Sequence, residues 1–117
     1  MHLPEEAQLL RIFLEENEKY KNKLFYEAIV EKARELGLTG ATVLRGLMGY
    51  GGANNKIHSS KLLTLSDDLP VVVEIIDSED NINKILPFID ENLKEGLITL
   101  EKVQILKYKY KKWLFLL

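Results

Sequence analysis

The chain has 117 residues, a net charge of −2 and 46% apolar residues, which is enough for one domain with a single core. This slightly acidic balance argues against a general electrostatic binder of nucleic acid, which carries a basic excess. The absence of cysteine excludes disulfides, thiolate nucleophiles and zinc–sulfur sites. The N-terminus lacks the parts of a signal peptide, and no run approaches the ~20 apolar residues that span a bilayer. We therefore expect one cytoplasmic domain over residues 1–117, without membrane insertion.

The first half of the chain predicts a strand, a helix and a second strand. Residues 7–14 are apolar on nearly every side, which favours a central strand covered on both faces. After a polar linker, residues 24–36 place apolar side chains at helical spacing, and Gly37 stands where a C-capping glycine belongs. Residues 42–48 then predict a strand that Gly46 interrupts.

The second half predicts the same order again. Residues 62–65 resume a strand pattern, and residues 66–70 indicate a turn or bulge. Residues 71–76 are β-branched at five of six positions, which is the strongest strand signal in the sequence. The last predicted strand spans residues 97–108.

A second helix is expected between these last two strands. Asp77 and Ser78 can each cap its N-terminus. Pro87 should kink or shorten the helix, because proline lacks a donor and clashes with the preceding turn. The apolar face of this helix consists of Ile82, Ile85, Leu86, Ile89 and Leu93.

The resulting order β-α-β-β-α-β predicts an α+β, ferredoxin-like fold. In that fold a four-stranded antiparallel sheet carries both helices on one face. Because the predicted strands at residues 7–14 and 71–76 are apolar on both sides, we expect other subunits to cover the second face of the sheet. An apolar sheet left open to water would favour aggregation.

The loop at residues 49–60 is long, polar and glycine-rich where a short hairpin turn would suffice. Such loops are often functional or disordered. At its base, Gly49, Tyr50, Gly51 and Gly52 can present successive backbone N–H groups to an anion. Alternatively, these glycines only let the hairpin turn.

Two segments resemble a known family. GATVLRGLMGYGG and the later HSSKLLTLSDDLPVVVEIID are similar to the UPF0166 family, also called domain of unknown function 190. That family is related to the PII nitrogen-regulatory signal proteins, and the similarity runs from about Leu9 to Tyr108. It implies a homotrimer that binds an adenine nucleotide (ATP, ADP or AMP) in clefts between subunits. It also implies that loop 49–60 is the equivalent of the T-loop, which reports ligand state to a partner such as a membrane transporter or an enzyme.

The same resemblance implies a set of nucleotide-binding residues. Gly49, Tyr50 and Gly51 match the Gly-aromatic-Gly that approaches the phosphates in PII proteins, and Lys107 and Lys109 resemble their basic pair. The sequence departs from PII proteins in having no glutamine after the Gly-aromatic-Gly, which leaves a magnesium requirement open. The glycine-rich loop before the last strand is reduced to Glu-Gly, and the T-loop is shorter and lacks the modified tyrosine.

Further candidates are isolated polar residues and the C-terminal tail. His58 can touch a phosphate or a metal, or can simply be solvated, whereas His2 belongs to a frayed terminus. Arg45 lies in an apolar strand and therefore needs a partner, either a carboxylate or a phosphate. The tail at residues 110–117 alternates basic and aromatic residues and then becomes apolar, and we expect it to pack on a neighbouring subunit rather than to bind a membrane or nucleic acid.

No pattern favours catalysis. Asp67 and Asp68 stand in a turn that favours aspartate, while Glu74 and Asp77 fall on opposite strand faces by parity. A hydrolase of the acylphosphatase kind needs a phosphate-cradling loop after the first strand, where the sequence EENEKYKN is acidic and lacks glycine. The alternative function is a trimer of the divalent-cation-tolerance kind that binds a small ligand or a metal, although two histidines and no cysteine disfavour a soft metal site.

Overall fold

The computed structural model describes residues 5–52, 56–59 and 68–110. Its elements follow the predicted order, with two short additional hairpins. They are β1 (Glu6–Glu15), β2 (Lys19–Tyr20), β3 (Lys23–Leu24), α1 (Phe25–Glu35), β4 (Thr42–Arg45), β5 (Met48–Gly49), β6 (His58–Ser59), β7 (Pro70–Asp77), α2 (Glu79–Asn92) and β8 (Leu97–Gln104).

The main sheet has the strand order β4-β7-β1-β8, with every neighbouring pair antiparallel. Both helices cover one face of it, so the predicted α+β, ferredoxin-like fold is confirmed. β1 is a central strand, as expected. Neither helix is long and apolar enough to cross a membrane, as far as the described residues are concerned.

The core lies between this sheet face and the helices. Strand residues alternate, so that one set from β1 and β7 points toward α1 and α2. The largest fully buried apolar side chains are Phe25, Leu10, Ile12, Ile29, Ile75, Ile82, Ile85, Ile89, Val71 and Val73. This set includes three of the five residues predicted for the apolar face of the second helix.

The opposite sheet face, here called the open face, carries an apolar row across all four strands. Leu44 pairs with Val72, Val72 with Phe13, and Phe13 with Leu97. Phe13 is 36% exposed, Leu44 50% and Leu97 56%. Both helices of the described chain pack on the same side of β1, so the expected cover of its second face by other subunits stays a prediction.

The helix ends agree with the sequence at two caps. Gly37 has a φ of 82°, as a C-capping glycine should. The Ser78 hydroxyl accepts a hydrogen bond from the backbone N–H of Asn81 at 3.2 Å. Pro87, however, does not shorten α2, which continues to Asn92. Proline removes only one helical hydrogen bond here, and because Pro87 is exposed, water can solvate the carbonyl that loses its partner.

Three further differences concern element boundaries. β8 ends at Gln104 rather than at residue 108, because Gln104 pairs with Glu6, the first residue of β1. The polar linker contains the hairpin of β2 and β3, whose turn uses a positive φ of 54° at Lys21. The strand predicted at residues 62–65 lies outside the described residues.

Candidate functional site

The main sheet ends abruptly where the glycine-rich loop begins. The Gly46 N–H donates a 2.7 Å hydrogen bond to the carbonyl of Pro70. A Cβ atom on Gly46 would lie 2.8 Å from Cγ of Pro70, and one on Gly49 would lie 3.1 Å from it. The proline ring therefore requires glycine at the first position and tolerates little at the second, which fixes the direction in which the loop leaves the sheet.

The loop then starts as a short hairpin. Met48 pairs with Ser59 and Gly49 with His58 across β5 and β6. Tyr50 is 70% exposed and Ile57 is 58% exposed, so the described part of the loop buries little, as its composition predicts. Gly52 has a φ of 72°, which favours glycine. Residues 53–55 and 60 lie outside the described chain.

A cavity of about 360 Å³ lies between the loop base, the end of β1 and the segment before β8. This size falls within the range of small-molecule sites, roughly 300–1,000 Å³. It is lined by Phe13, Leu14, Glu15, Gly49, Tyr50, Gly51, Gly52, His58, Asp68, Pro70, Glu95, Gly96 and Leu97. The cavity thus brings together five of the eight predicted nucleotide-binding residues, which are the loop-base residues and His58.

The other three predicted site residues lie elsewhere. The guanidinium of Arg45 donates from Nη2 to Glu16 Oε1 at 3.0 Å, so its partner in the chain is a carboxylate. Lys107 and Lys109 follow β8, whereas the cavity lies at the start of β8 beside Leu97. At about 3.3 Å per residue, the length of β8 places them more than roughly 20 Å along the strand from the cavity.

Three acidic residues line the cavity, and sequence reasoning did not combine them into one site. Glu15 ends β1, Asp68 precedes β7 and Glu95 precedes β8. The amide Nδ2 of Asn17 donates a hydrogen bond to Oδ2 of Asp68. The only sequence signal was an acidic residue in each flanking turn, and nothing in the linear pattern showed that the three turns meet.

The open face also carries a charged cluster, beside its apolar row. Arg11 donates from Nε to Glu74 at 2.9 Å and from Nη1 to Glu101 at 2.7 Å. The hydrogen bond to Glu74, assisted by Glu101, raises the pKa of Arg11 above its ordinary value. The guanidinium stays charged, and the carboxylates of Glu74 and Glu101 hold it on the sheet surface.

The remaining acidic candidate has a structural role. Asp77 is fully buried, and its carboxylate accepts from the N–H and hydroxyl of Thr39, the N–H of Ser78 and the amide of Asn81. Glu74 lies on the opposite face, as strand parity predicts. His2 and Asp67 lie outside the described residues.

The described side chains do not form a metal centre. Within residues 5–52, 56–59 and 68–110, no three histidine, aspartate or glutamate side chains are grouped so that they could hold a metal ion.

Comparison with known proteins identifies the family of this chain. The sequence model of the DUF190 family, described as "Uncharacterized ACR, COG1993", matches residues 7–105. A UPF0166 protein of Aquifex aeolicus is 48% identical over 99 residues, which cover 85% of this chain and 92% of that protein. A UPF0166 protein of Methanocaldococcus jannaschii is 36% identical over 102 residues, covering 86% and 93%.

Among solved structures, CPII is similar in fold. CPII is a nitrogen regulatory PII-like protein from Thiomonas intermedia K12, and its structure was solved bound to ADP, AMP and bicarbonate. The two chains align with a TM-score of 0.61 at 20% identity, over 86% of this chain and 88% of that one. The chain therefore belongs to the DUF190 (UPF0166) family and has the fold of the PII-like proteins.

Proposed function

We propose that the chain is a PII-like regulatory protein, without catalytic activity, that binds an adenine nucleotide in a cleft between the subunits of a homotrimer. The observation that carries this proposal is the cavity at the base of loop 49–60. A ligand in it would contact the loop directly, so that binding can change the loop conformation. Loop 49–60 is then the T-loop equivalent, and residues 1–117 act as one domain.

The position of the cavity supports a cleft between subunits. Phe13 and Leu97 line the cavity and also belong to the apolar row of the open face. A second copy that covers this row would therefore border the cavity as well. Burial of the exposed apolar row supplies the hydrophobic free energy for such an assembly.

The location of the predicted basic residues also favours a site completed by a neighbour. Lys107 and Lys109 cannot serve the cavity of their own chain without leaving the far end of β8. In the proposed trimer they belong to the neighbouring subunit's cleft, where their ammonium groups would meet the phosphates. Arg45 joins them only by exchanging Glu16 for phosphate.

The loop is also the proposed contact with a partner protein, such as a membrane transporter or an enzyme. Four apolar side chains at or beside its base are exposed, which suits a protein surface better than water. They are Leu47, Met48, Tyr50 and Ile57.

A substitution at Gly51 tests the nucleotide site directly. A Cβ on Gly51 would meet no atom of the described residues within 4 Å, so Gly51→Val should mainly obstruct what enters the cavity. We expect it to reduce affinity for adenine nucleotides at least tenfold in calorimetry, with the fold intact. The matched control is Gly40→Val, because Gly40 also has nothing within 4 Å and does not line the cavity.

The basic pair provides a second arm of this experiment. Lys107→Ala and Lys109→Ala should each weaken binding by roughly 1–3 kcal/mol if they make charge-assisted hydrogen bonds to phosphate. AMP should lose less than ADP or ATP. Equal affinities of the wild type and all three variants would contradict the proposed site and would favour the alternative, a trimer that binds a different small ligand or a divalent metal.

A further inference from the structure

The charge of the cavity has a consequence for the kind of nucleotide it can hold. Three carboxylates line it, namely Glu15, Asp68 and Glu95, and among the described residues that line it there is no lysine or arginine. Glu15 is the last residue of β1, and Asp68 and Glu95 precede the two strands that pair with it, so the three acidic residues lie at the same end of the sheet.

At least one of these charges is held in place. Asp68 accepts a hydrogen bond from Asn17, and the next residue, Leu69, is buried. The carbonyl of Leu69 accepts a 3.0 Å backbone hydrogen bond from Glu16. These contacts tie the turn before β7 to the end of β1 and position the Asp68 side chain beside the cavity.

A polyphosphate would therefore meet like charge in this cavity. Each phosphate group adds about one to two negative charges at neutral pH, and the repulsion between close charges is strong where water is partly excluded. The three basic residues of the proposed site, Lys107 and Lys109 of a neighbouring subunit and Arg45, would do no more than balance the three carboxylates. Ionised carboxylates are, however, good acceptors for the hydroxyl groups of a ribose and for an exocyclic amino group.

We infer that Glu15, Asp68 and Glu95 limit the charge of the ligand, so that the cleft prefers a nucleoside monophosphate to a di- or triphosphate in the absence of divalent cations. This inference rests on the proposed nucleotide-binding function and adds the residues that determine its specificity. The carboxylates act by repulsion in this inference, and among the described residues no group of three side chains is arranged to hold an ion by itself.

The test is calorimetry of the full chain with adenosine, AMP, ADP and ATP, in chelator and at low salt. The wild type should bind AMP more tightly than ADP or ATP. Glu95→Gln should raise the affinity for ATP and ADP by roughly three- to tenfold and the affinity for AMP by less than about threefold, because the removed repulsion grows with ligand charge. Added salt should shrink that gain.

Two further variants keep the result interpretable. Asp68→Asn should act in the same direction as Glu95→Gln, although it also alters the hydrogen bond from Asn17. Glu91→Gln is the matched control, since Glu91 is an exposed glutamate on α2 that does not line the cavity. We expect this control to leave all four affinities unchanged.

Three results would overturn the inference, and they differ from one another. If ATP binds as tightly as AMP in chelator, and the variants do not change that order, nucleotide binding stands and the charge limit fails. If magnesium raises ATP affinity and Glu95→Gln abolishes that rise, the carboxylate holds a metal. If adenosine and all three nucleotides fail to bind, the proposed function itself fails and the inference with it.

Discussion

The two faces of the main sheet use the same strands for different purposes. On β1, Leu10 and Ile12 are fully buried under the helices, while Arg11 and Phe13, which alternate with them, remain partly exposed. On β7 the same contrast separates Val73 from Glu74. One face, here called the helix-covered face, is therefore buried by both helices, whereas none of the described elements covers the open face.

The described part of the chain contains no element that packs over the open face, and the composition of this face indicates what should cover it. An apolar row runs across all four strands, and beside it Arg11 is neutralised by two carboxylates of its own chain. A surface with matched charges and exposed apolar groups favours burial against another protein surface rather than exposure to water. The proposed homotrimer buries it against copies of itself.

The largest expected effect is a loss of stability from a substitution on the helix-covered face. Ile12→Ala should lower the free energy of unfolding by roughly 2–5 kcal/mol, because it leaves a cavity in a close-packed core. Phe13→Ala removes a larger side chain that is 36% exposed in the chain, and it should cost the isolated subunit less. Urea denaturation under dissociating conditions measures both. Equal losses would mean that the open face is already covered within one chain.

The next prediction concerns assembly. Leu44→Asp should disrupt the trimer, because burying an unpaired carboxylate at an interface costs about 3 kcal/mol or more. Leu44 is half exposed on β4 and does not line the cavity, so the fold and the ligand site of the subunit should survive. Native mass spectrometry at micromolar concentration measures the change.

The control for the assembly experiment is Asn83→Asp, which adds the same charge at an exposed position of α2. It should leave the trimer intact. A wild-type protein that is monomeric at this concentration would contradict the proposed assembly. A trimer that survives Leu44→Asp would show that the copies meet through another surface.

Sequence reasoning predicted the helix-covered face of the sheet better than it predicted the candidate functional site. The helical spacing around Ile29 and Ile85 and the β-branched run of β7 are local patterns, and the core follows from them. The end of β8 was predicted too late, because a strand ends where its partner ends and no local pattern shows the length of β1. The helix through Pro87 shows, likewise, that a helix can tolerate a local breaker at an exposed position, where water solvates the carbonyl that loses its hydrogen bond.

The loop base illustrates the same limit at the candidate site. The glycines of residues 49–52 were recognised from composition, and the cavity contains them. Pro70 lies far from them in sequence, so its contacts with Gly46 and Gly49 could not be read from the linear pattern. The carboxylates were missed for the same reason, since they become one group only when three turns meet.

A smaller effect compares two carboxylates of β7 on opposite faces. Asp77→Asn should destabilise the subunit by roughly 1–3 kcal/mol, because the new amide turns a donor toward groups that already donate. Glu74→Gln, on the open face, should cost the isolated subunit clearly less, since its ion pair with Arg11 is open to solvent. Denaturant titration of both variants distinguishes them. A larger loss for Glu74→Gln would contradict the assigned roles.

The smallest expected effect compares two ion pairs, one on each side of the molecule. Lys23 donates to Glu31 at 2.6 Å on the helix side, and this hydrogen bond lowers the pKa of Glu31 below its ordinary value of 4.5. Because the folded-state pKa is the lower one, the stabilisation is present above the ordinary pKa and is lost as the pH falls through the folded value. Glu31→Gln should therefore lower the melting temperature slightly at neutral pH, and the difference from the wild type should shrink as the pH falls below the ordinary pKa of Glu31.

Salt then separates the two ion pairs. About 1 M salt should remove the effect of Glu31→Gln at neutral pH, because both partners of that pair are exposed and ions screen them. The effect of Glu74→Gln on the melting temperature of the assembled protein should persist in the same salt, because copies that cover the open face would keep ions away from Arg11. Glu91→Gln is an exposed control on α2, and salt should not change its effect on the melting temperature. If Glu74→Gln loses its effect in salt as Glu31→Gln does, the open face is in contact with solvent in the assembly, and the distinction between the two faces must have another explanation.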